Sequence, residues 1–291
     1  MTTGAAPGAA APFSWQDRTG QAWSDFHAET DRQLAALGAL ALERLAARPG
    51  ERIIDVGCGC GQTLLQLADA VGPGGRVLGI DLSEAMLAQA RARVAAASAA
   101  PPVEIVCADA TSFSFPAGGF DAVYSRFGLM FFEQPRAAFQ HLRAALAPGG
   151  RLAFVSWQAQ ERNPWALVPL RAVQAALPET APQLPAPGAP GPFSLAEPAP
   201  VTALLESAGF RDVRIDAVDT EIQVGGAATL EDAMKYLVVI GPAARQLAAS
   251  EPARRTAGVE AMARAIAPYA SPRGVWMKAA ALVVSATVRS G

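Results

Sequence analysis

Between Arg52 and Trp157 the sequence alternates short β-branched runs with longer stretches of helical periodicity, and few architectures accommodate that alternation. Runs at 52–56, 76–80, 103–107, 120–124 and 151–157 read as strands. Segments 63–71, 83–97 and 135–146 read as helices, the second with Ser83 as N-cap and the third stopped by Pro148-Gly149-Gly150. Strands joined through a helix lie parallel, because the crossover returns the chain to the edge from which it started, and both sheet faces are then covered. A helix at 25–47 leads into this core, with Leu34, Leu37, Leu40, Ala41 and Leu45 at helical spacing before Pro49-Gly50. After Trp157 the rhythm breaks: a helix at 165–177 is followed by Pro/Ala/Gly-rich 178–192, which cannot hold regular structure. It resumes with a helix at 201–208 and a strand at 212–222, and helical patterns return at 230–240 and 251–267. The last apolar segment, 275–288, has the β-branched content of a closing strand in its second half. The expected organisation is a flexible tail and lid at 1–24, a core at 25–157, a cap insertion at 158–200, a core continuation at 201–228, a second helical insertion at 229–270 and a closing strand at 271–291.

The turn after the first strand, Asp55-Val56-Gly57-Cys58-Gly59-Cys60-Gly61, places three alternate glycines where main chain can approach a ligand that any Cβ would obstruct. Taken alone, such a turn is compatible with a structural bend or with several nucleotide sites. Two features narrow it: Asp55 precedes the glycines, and Gln62 stands where the dinucleotide fingerprint has its third glycine. Asp81 ends the second strand, where a carboxylate can accept both hydroxyl protons of a ribose; the alternative is a surface aspartate leading a helix. Asp109 closes the third strand and could accept from the exocyclic amine of adenine. All three acids lie at C-terminal strand ends, the edge at which open α/β sheets bind ligands where strand order reverses.

Composition removes several function classes. A share of 51% hydrophobic against 17% charged residues is that of a globular chain, and a net charge of −2 leaves no basic surplus to neutralise the phosphates of a nucleic acid. The apolar run 279–284 is far shorter than the roughly 20 residues of a membrane span. Residues 1–12 lack the basic and apolar blocks of a signal peptide, so a cytoplasmic location is expected. Cys58, Cys60 and Cys107 are too few for a disulfide framework; the first two resemble half a metal site with no second half, and no metal is expected.

Taken in order, these motifs resemble the class I S-adenosylmethionine-dependent methyltransferases. Asp55 to Gly61 is similar to that family's first motif, Asp81 to its ribose acid and Asp109 to its adenine acid. The resemblance continues through Phe120-Asp121-Ala122-Val123-Tyr124-Ser125 and Leu146-Ala147-Pro148-Gly149-Gly150-Arg151-Leu152, over about a third of the chain. The stretch Ser125-Arg126-Phe127-Gly128-Leu129-Met130-Phe131-Phe132 and the later Gly209-Phe210-Arg211-Asp212-Val213 look more narrowly like bacterial small-molecule methyltransferases related to quinone-pathway enzymes. The resemblance implies a doubly wound, Rossmann-like α/β sheet of seven strands with an antiparallel last strand at 281–288, decorated by helical cap insertions. It implies S-adenosylmethionine as cofactor, contacted by Asp55, Gly57, Cys58, Gly59, Gly61, Asp81, Leu82, Met86, Asp109, Ala110 and Ser125.

Methyl transfer from a sulfonium is an in-line displacement on an already activated donor, so alignment is the main requirement and a base is optional. His27, in the segment that folds over the donor in this family, is the candidate base, with a helix-surface histidine as the alternative; His141 falls mid-helix away from the strand ends. Arg126, Phe127, Met130, Phe131, Trp157 and Trp165 are the candidate acceptor contacts, core packing being the competing role for the tryptophans. The expected partner is a small-molecule acceptor, with the oligomeric state open and a homodimer as one option. A nicotinamide-dependent oxidoreductase shares the sheet, glycine turn and ribose acid, but Gln62 and Asp55 argue against it. A non-catalytic module that binds the sulfonium is the other rival.

Overall fold

The computed structural model describes residues 15–97, 103–180 and 189–290. Helices α1 (Arg18–Asp25) and α2 (His27–Leu45) precede β1 (Arg52–Val56), and α3 (Gln62–Val71), β2 (Arg76–Asp81), α4 (Glu84–Ala96), β3 (Val103–Cys107), β4 (Phe120–Arg126), α5 (Pro135–Ala145) and β5 (Leu146–Trp157) complete the alternating part. Then come α6 (Pro164–Ala176), α7 (Pro198–Ser207), β6 (Arg211–Gln223), α8 (Leu230–Val239), α9 (Ala244–Ala249), α10 (Pro252–Ile266), the short β7 (Ala270–Ser271) and β8 (Gly274–Thr287). No helix among the described residues is long and apolar enough to cross a membrane.

The strands run in the order β3-β2-β1-β4-β5-β8-β6, with β7 attached to β8 alone. β1 pairs in parallel with both β2 and β4, so strand order reverses between β1 and β4 and a crevice opens above their C-terminal ends. Four of the five residues of β1 are buried, Ile53, Ile54, Asp55 and Val56, as expected for a central strand covered on both faces. The seven-stranded path with its antiparallel final strand is thus present, and β7 adds an eighth, marginal strand.

The final strand starts earlier than the expected 281–288. Its first half pairs with β6, as far as Gln223 opposite Trp276, and at Gly274 and Val275 with the two-residue β7, whereas its second half lies between β5 and β6. Most of this first half is buried, but the exposed Lys278 and the half-buried Trp276 interrupt the β-branched run, and that concealed its strand character. The helix expected at 25–47 is α2, and the part of the expected tail just before it forms a further helix, α1. A break at Phe26 turns α1 onto the start of α4: Ser24 Oγ donates to the Ala85 carbonyl at 3.1 Å, and Gly20 lies so close that a Cβ there would meet Ser83 Oγ at 2.2 Å.

The two insertions form one cap. A Cβ on Gly258 of α10 would stand 2.7 Å from Leu177 Cδ1 and 2.9 Å from Leu247 Cδ2, and Val173, Leu177, Leu247, Met262 and Ile266 are buried together. Helix α9 was not anticipated, since its six residues follow Gly241-Pro242 and offer no full amphipathic period. Asn163 ties the cap to the sheet: it donates to the carbonyls of Gln158, Ala159 and Ala280 and accepts from Ala280 N–H at 2.9 Å and Trp165 Nε1 at 3.0 Å.

Candidate active site

The turn that follows β1 has left-handed backbone at Gly57 (φ 71°), Gly59 (φ 52°) and Gly61 (φ 83°). Two of the glycines serve different ends. At Gly61 a Cβ would lie 2.8 Å from Ala90 Cβ, so this glycine lets α3 pack on α4. At Gly59 the nearest atom to such a Cβ would be Met86 Sδ at 3.9 Å; this glycine leaves room beside the crevice. Cys58 is buried under the turn, and Cys60 is half-buried with its thiol pushed up to about 12 by burial. Cys107 is exposed on β3, and among the described residues no group of three His, Cys, Asp or Glu side chains could hold a metal ion.

Asp55 is fully buried. Its Oδ2 accepts from Thr63 Oγ1 at 2.5 Å, while Oδ1 has no partner among the described residues. Burial pushes the carboxyl up to about 7, with Asp81 adding to the effect and the Thr63 hydrogen bond and Arg126 opposing it. A buried oxygen without a donor costs free energy unless a ligand supplies one. Because the folded chain holds this proton up to about pH 7, whereas an unfolded aspartate releases it near 3.8, the native state binds more protons in between and this group lowers stability as pH rises from about 4 to about 7. Asp55→Asn is expected to flatten that decline, on the order of a few kcal/mol at pH 8; urea unfolding of the ligand-free chain across this range is the measurement.

Asp81, at the end of β2, accepts from Gly59 N–H through Oδ2 and from Ser83 N–H through Oδ1, both at 2.9 Å, and burial raises its pKa. It thereby ties the glycine turn to the start of α4. Leu82 is half-buried beside it, and Met86 is buried with its N–H capped by Ser83 Oγ at 3.4 Å. Asp109 is exposed beyond β3, its Oδ1 accepting from Thr111 N–H at 2.8 Å, and Ala110 next to it is buried.

On the β4 side, Ser125 Oγ donates to the Val56 carbonyl at 2.8 Å and accepts from Gly128 N–H at 3.2 Å, joining the turns that leave β1 and β4. Phe127 has left-handed backbone (φ 59°) and stacks on Trp157 at 4.3 Å between ring centres, with Trp165 4.8 Å further on. Phe131 meets Trp15 edge-on at 5.0 Å, and Trp15 meets Trp23 of α1 at 5.5 Å. The Met130 carbonyl accepts from Gly191 N–H at 3.0 Å and Ser194 Oγ at 2.5 Å, so Trp15, before α1, and the segment before α7 both meet Met130-Phe131. Arg126 does not join this aromatic group: it faces Asp31 of α2 and Gln62 of α3. His27 Nδ1 lies 2.8 Å from the Ser24 carbonyl; a carbonyl only accepts, so Nδ1 is the donor in this contact and Nε2 is not engaged by it. His141 Nε2 lies 2.7 Å from the Phe113 carbonyl, away from the crevice.

Three residues of this site escaped the sequence reading: Thr63, Asp31 and Arg93, whose guanidinium also meets the Asp31 carboxylate. Asp31 left a trace, since it lies one turn before Leu34 on the buried stripe of α2, where a charge signals a partner.

A family model described as a methyltransferase domain matches residues 53–150, from β1 into β5. The nocamycin O-methyltransferase of Saccharothrix syringae is 35% identical over 197 residues, covering 65% of this chain and 69% of that protein. The chain is a class I S-adenosylmethionine-dependent methyltransferase. A second relative of this methyltransferase, the ubiquinone/menaquinone biosynthesis C-methyltransferase UbiE of Ectopseudomonas mendocina (strain ymp), is 36% identical over 111 residues, spanning 38% of this chain and 43% of that protein. Among solved structures, phosphoethanolamine N-methyltransferase 2 of Haemonchus contortus, in complex with phosphomonomethylethanolamine and S-adenosylhomocysteine, matches with a TM-score of 0.57 at 18% identity, over 95% of this chain and 60% of that one. The fold is therefore shared well beyond the matched motifs. The crevice suits this methyltransferase's cofactor: Gly59 leaves space for close approach of a ligand, and the buried, unpartnered Asp55 Oδ1 calls for a cationic or hydrogen-bonding group.

Proposed function

We propose that this methyltransferase transfers the methyl group of S-adenosylmethionine to an oxygen, nitrogen or carbon nucleophile of a small, largely apolar molecule seated between α1 and the turn after β4. The observation that carries the reading is the aromatic content of that edge: Trp15, Trp23 and Phe131 meet edge to face, and Phe127 stacks on Trp157, which Trp165 meets at a tilt. Relatives named for nocamycin O-methylation and for quinone C-methylation are in line with a small acceptor. The absence of a basic surplus, at net charge −2, disfavours nucleic acid, and a cytoplasmic setting fits reduced Cys58, Cys60 and Cys107.

When bound, the cofactor supplies a methyl group already activated on a sulfonium. The chain's part is placement. Main chain at Gly57, Cys58, Gly59 and Gly61 lies along the donor, Asp81 takes the ribose hydroxyls, and Asp109 with Leu82, Met86 and Ala110 borders the adenine. Ser125 keeps the donor turn and the acceptor turn at a fixed separation through its bonds to Val56 and Gly128. Met130 and Phe131, held by lid and cap, exclude water from the acceptor. His27 Nε2, on the lid side, removes the acceptor's proton where the nucleophile is a hydroxyl or an acidic carbon.

The test is incubation of the purified chain with methyl-labelled S-adenosylmethionine and a panel of phenols, enols and amines. Label in a small molecule, with stoichiometric S-adenosylhomocysteine, is the expected result, and His27→Ala should lower kcat about a hundredfold for hydroxyl acceptors. Donor uptake without label transfer to any acceptor would leave the chain a binding module, and unchanged turnover in His27→Ala would remove the base.

A further inference from the structure

The sheet ends on β6, and no strand among the described residues pairs with its outer side. This edge is 13 residues long, and Arg214, Asp216, Ala217 and Asp219 along it are exposed. A long edge presents main-chain N–H and C=O groups to any other strand that can lie beside it. Charge and bulges decide which strand can. Here the register slips between Arg211 and Arg214, with left-handed backbone at Asp212 (φ 50°), so a partner strand finds regular geometry only beyond that point.

The stretch that follows, Val213-Arg214-Ile215-Asp216-Ala217, is complementary to itself when reversed. Side chains alternate between faces, so Val213, Ile215 and Ala217 share one face and Arg214 and Asp216 the other. An antiparallel pair of identical strands related by a two-fold axis normal to the sheet has one residue opposed to itself, and opposed residues share a face. With Ile215 at the axis, Val213 stands opposite Ala217 twice and Arg214 opposite Asp216 twice. The other centres are poorer. An axis through Arg214, Asp216 or Asp219 opposes like charges, one through Thr220 sets Asp219 against Glu221, one through Ala217 or Val218 leaves Arg214 and Asp216 facing uncharged residues, and one through Val213 falls in the bulge. Asp216 already meets Arg44 of α2, whereas Arg214 has no ion-pair partner among the described residues. The Asp216 carboxylate is still 56% exposed and has lone pairs to spare, so the second copy's Arg214 can join Arg44 on it.

We infer that the open edge of β6 is an interface with a second copy of this chain, an antiparallel pairing about Ile215 whose register is set by the two crossed Arg214–Asp216 contacts. The two sheets continue as one across the axis. Strands β5 and β8 separate β6 from β4, so the pairing leaves the donor crevice above β1 and β4 as it is. Five opposed residues make a short ladder, smaller than the about 1,200 Å² of stable interfaces, and dissociation at about ten micromolar is expected.

The experiment is sedimentation velocity of the full chain from about 1 to about 200 µM. The wild type should pass from monomer to dimer over that range. Arg214→Asp sets carboxylate against carboxylate at both crossed contacts and should weaken the dimer about tenfold or more, with melting temperature unchanged. Exchanging the whole triad, Arg44→Glu with Arg214→Asp and Asp216→Arg, restores opposite charges at every contact and should return the dissociation constant to within about threefold of wild type. A wild type that stays monomeric throughout, a dimer indifferent to Arg214→Asp, or a folded triad exchange that stays monomeric would each overturn the inference. Should the triad exchange fail to fold, crosslinking carries the test. In a Cys107→Ser background, Ile215→Cys places two thiols directly opposite each other and should give a disulfide-linked dimer under mild copper-catalysed oxidation, while Thr220→Cys should not. Absent crosslinking at 215, or equal crosslinking at both positions, would overturn the pairing.

Discussion

Asp81→Ala is expected to weaken S-adenosylmethionine binding by about a hundredfold or more, the largest effect of any single substitution at the donor crevice. An ionised carboxylate has about four lone-pair positions, and here Gly59 N–H and Ser83 N–H take one each at 2.9 Å, with the Leu82 N–H adding a further backbone contact. Capacity remains for a ribose hydroxyl, and each charge-assisted bond contributes about 1.5–3 kcal/mol. The same substitution unties the glycine turn from the start of α4, so Gly59 would lose its anchor as well. Asp81→Asn separates the two roles: its amide oxygen can still accept one main-chain N–H while the charge is gone. Calorimetry should place Asp81→Asn between wild type and Asp81→Ala. A folded Asp81→Ala variant that binds the donor within threefold of wild type would reduce Asp81 to a loop tie.

Asn163→Leu is expected to be the most destabilising conservative-volume change outside the crevice. Asn163 is fully buried, and its amide serves five partners: the carbonyls of Gln158, Ala159 and Ala280, the N–H of Ala280 and Trp165 Nε1. Leucine fills the space and satisfies none of them. Each orphaned buried group costs about 1–3 kcal/mol, although neighbouring groups relax together, so a net loss of about 4 kcal/mol is expected. That corresponds to a fall in Tm of roughly 10 °C for a chain of this size. Because the loss falls on the junction of cap and sheet, donor affinity at 20 °C should change little while acceptor KM rises. An unaltered Tm would show that cap and sheet are held by apolar packing alone.

The alternating core was legible because parallel strands carry β-branched runs between helices: Arg52–Val56, buried over four of its five residues, and the half-exposed edge strand Val103–Cys107 were both found with the bounds read for them. The placement of the glycine turn and of Asp55 and Asp81 at strand ends was legible for a related reason, since position relative to the sheet edge is a local property; Asp109, expected to close the third strand, lies two residues beyond it and is exposed. What misled was equally local. Trp276 and Lys278 give the first half of β8 the look of a half-exposed segment, and Arg126 follows Ser125 so closely that it was grouped with the aromatic residues after it.

Local order along the chain thus determined the doubly wound sheet, the glycine bend and the rim on which the acids stand, since these depend on contacts within a strand, a turn and the next helix. Tertiary structure alone decided that α1 breaks from α2 to lie on Ser83, that the two insertions join into one cap, and that Arg126 shares Asp31 with Arg93. In each case the partners are dozens of residues or more apart, and a side chain on a strand end can turn to either face. Which face it takes is settled by the charge or the space it meets there, and no periodicity records that.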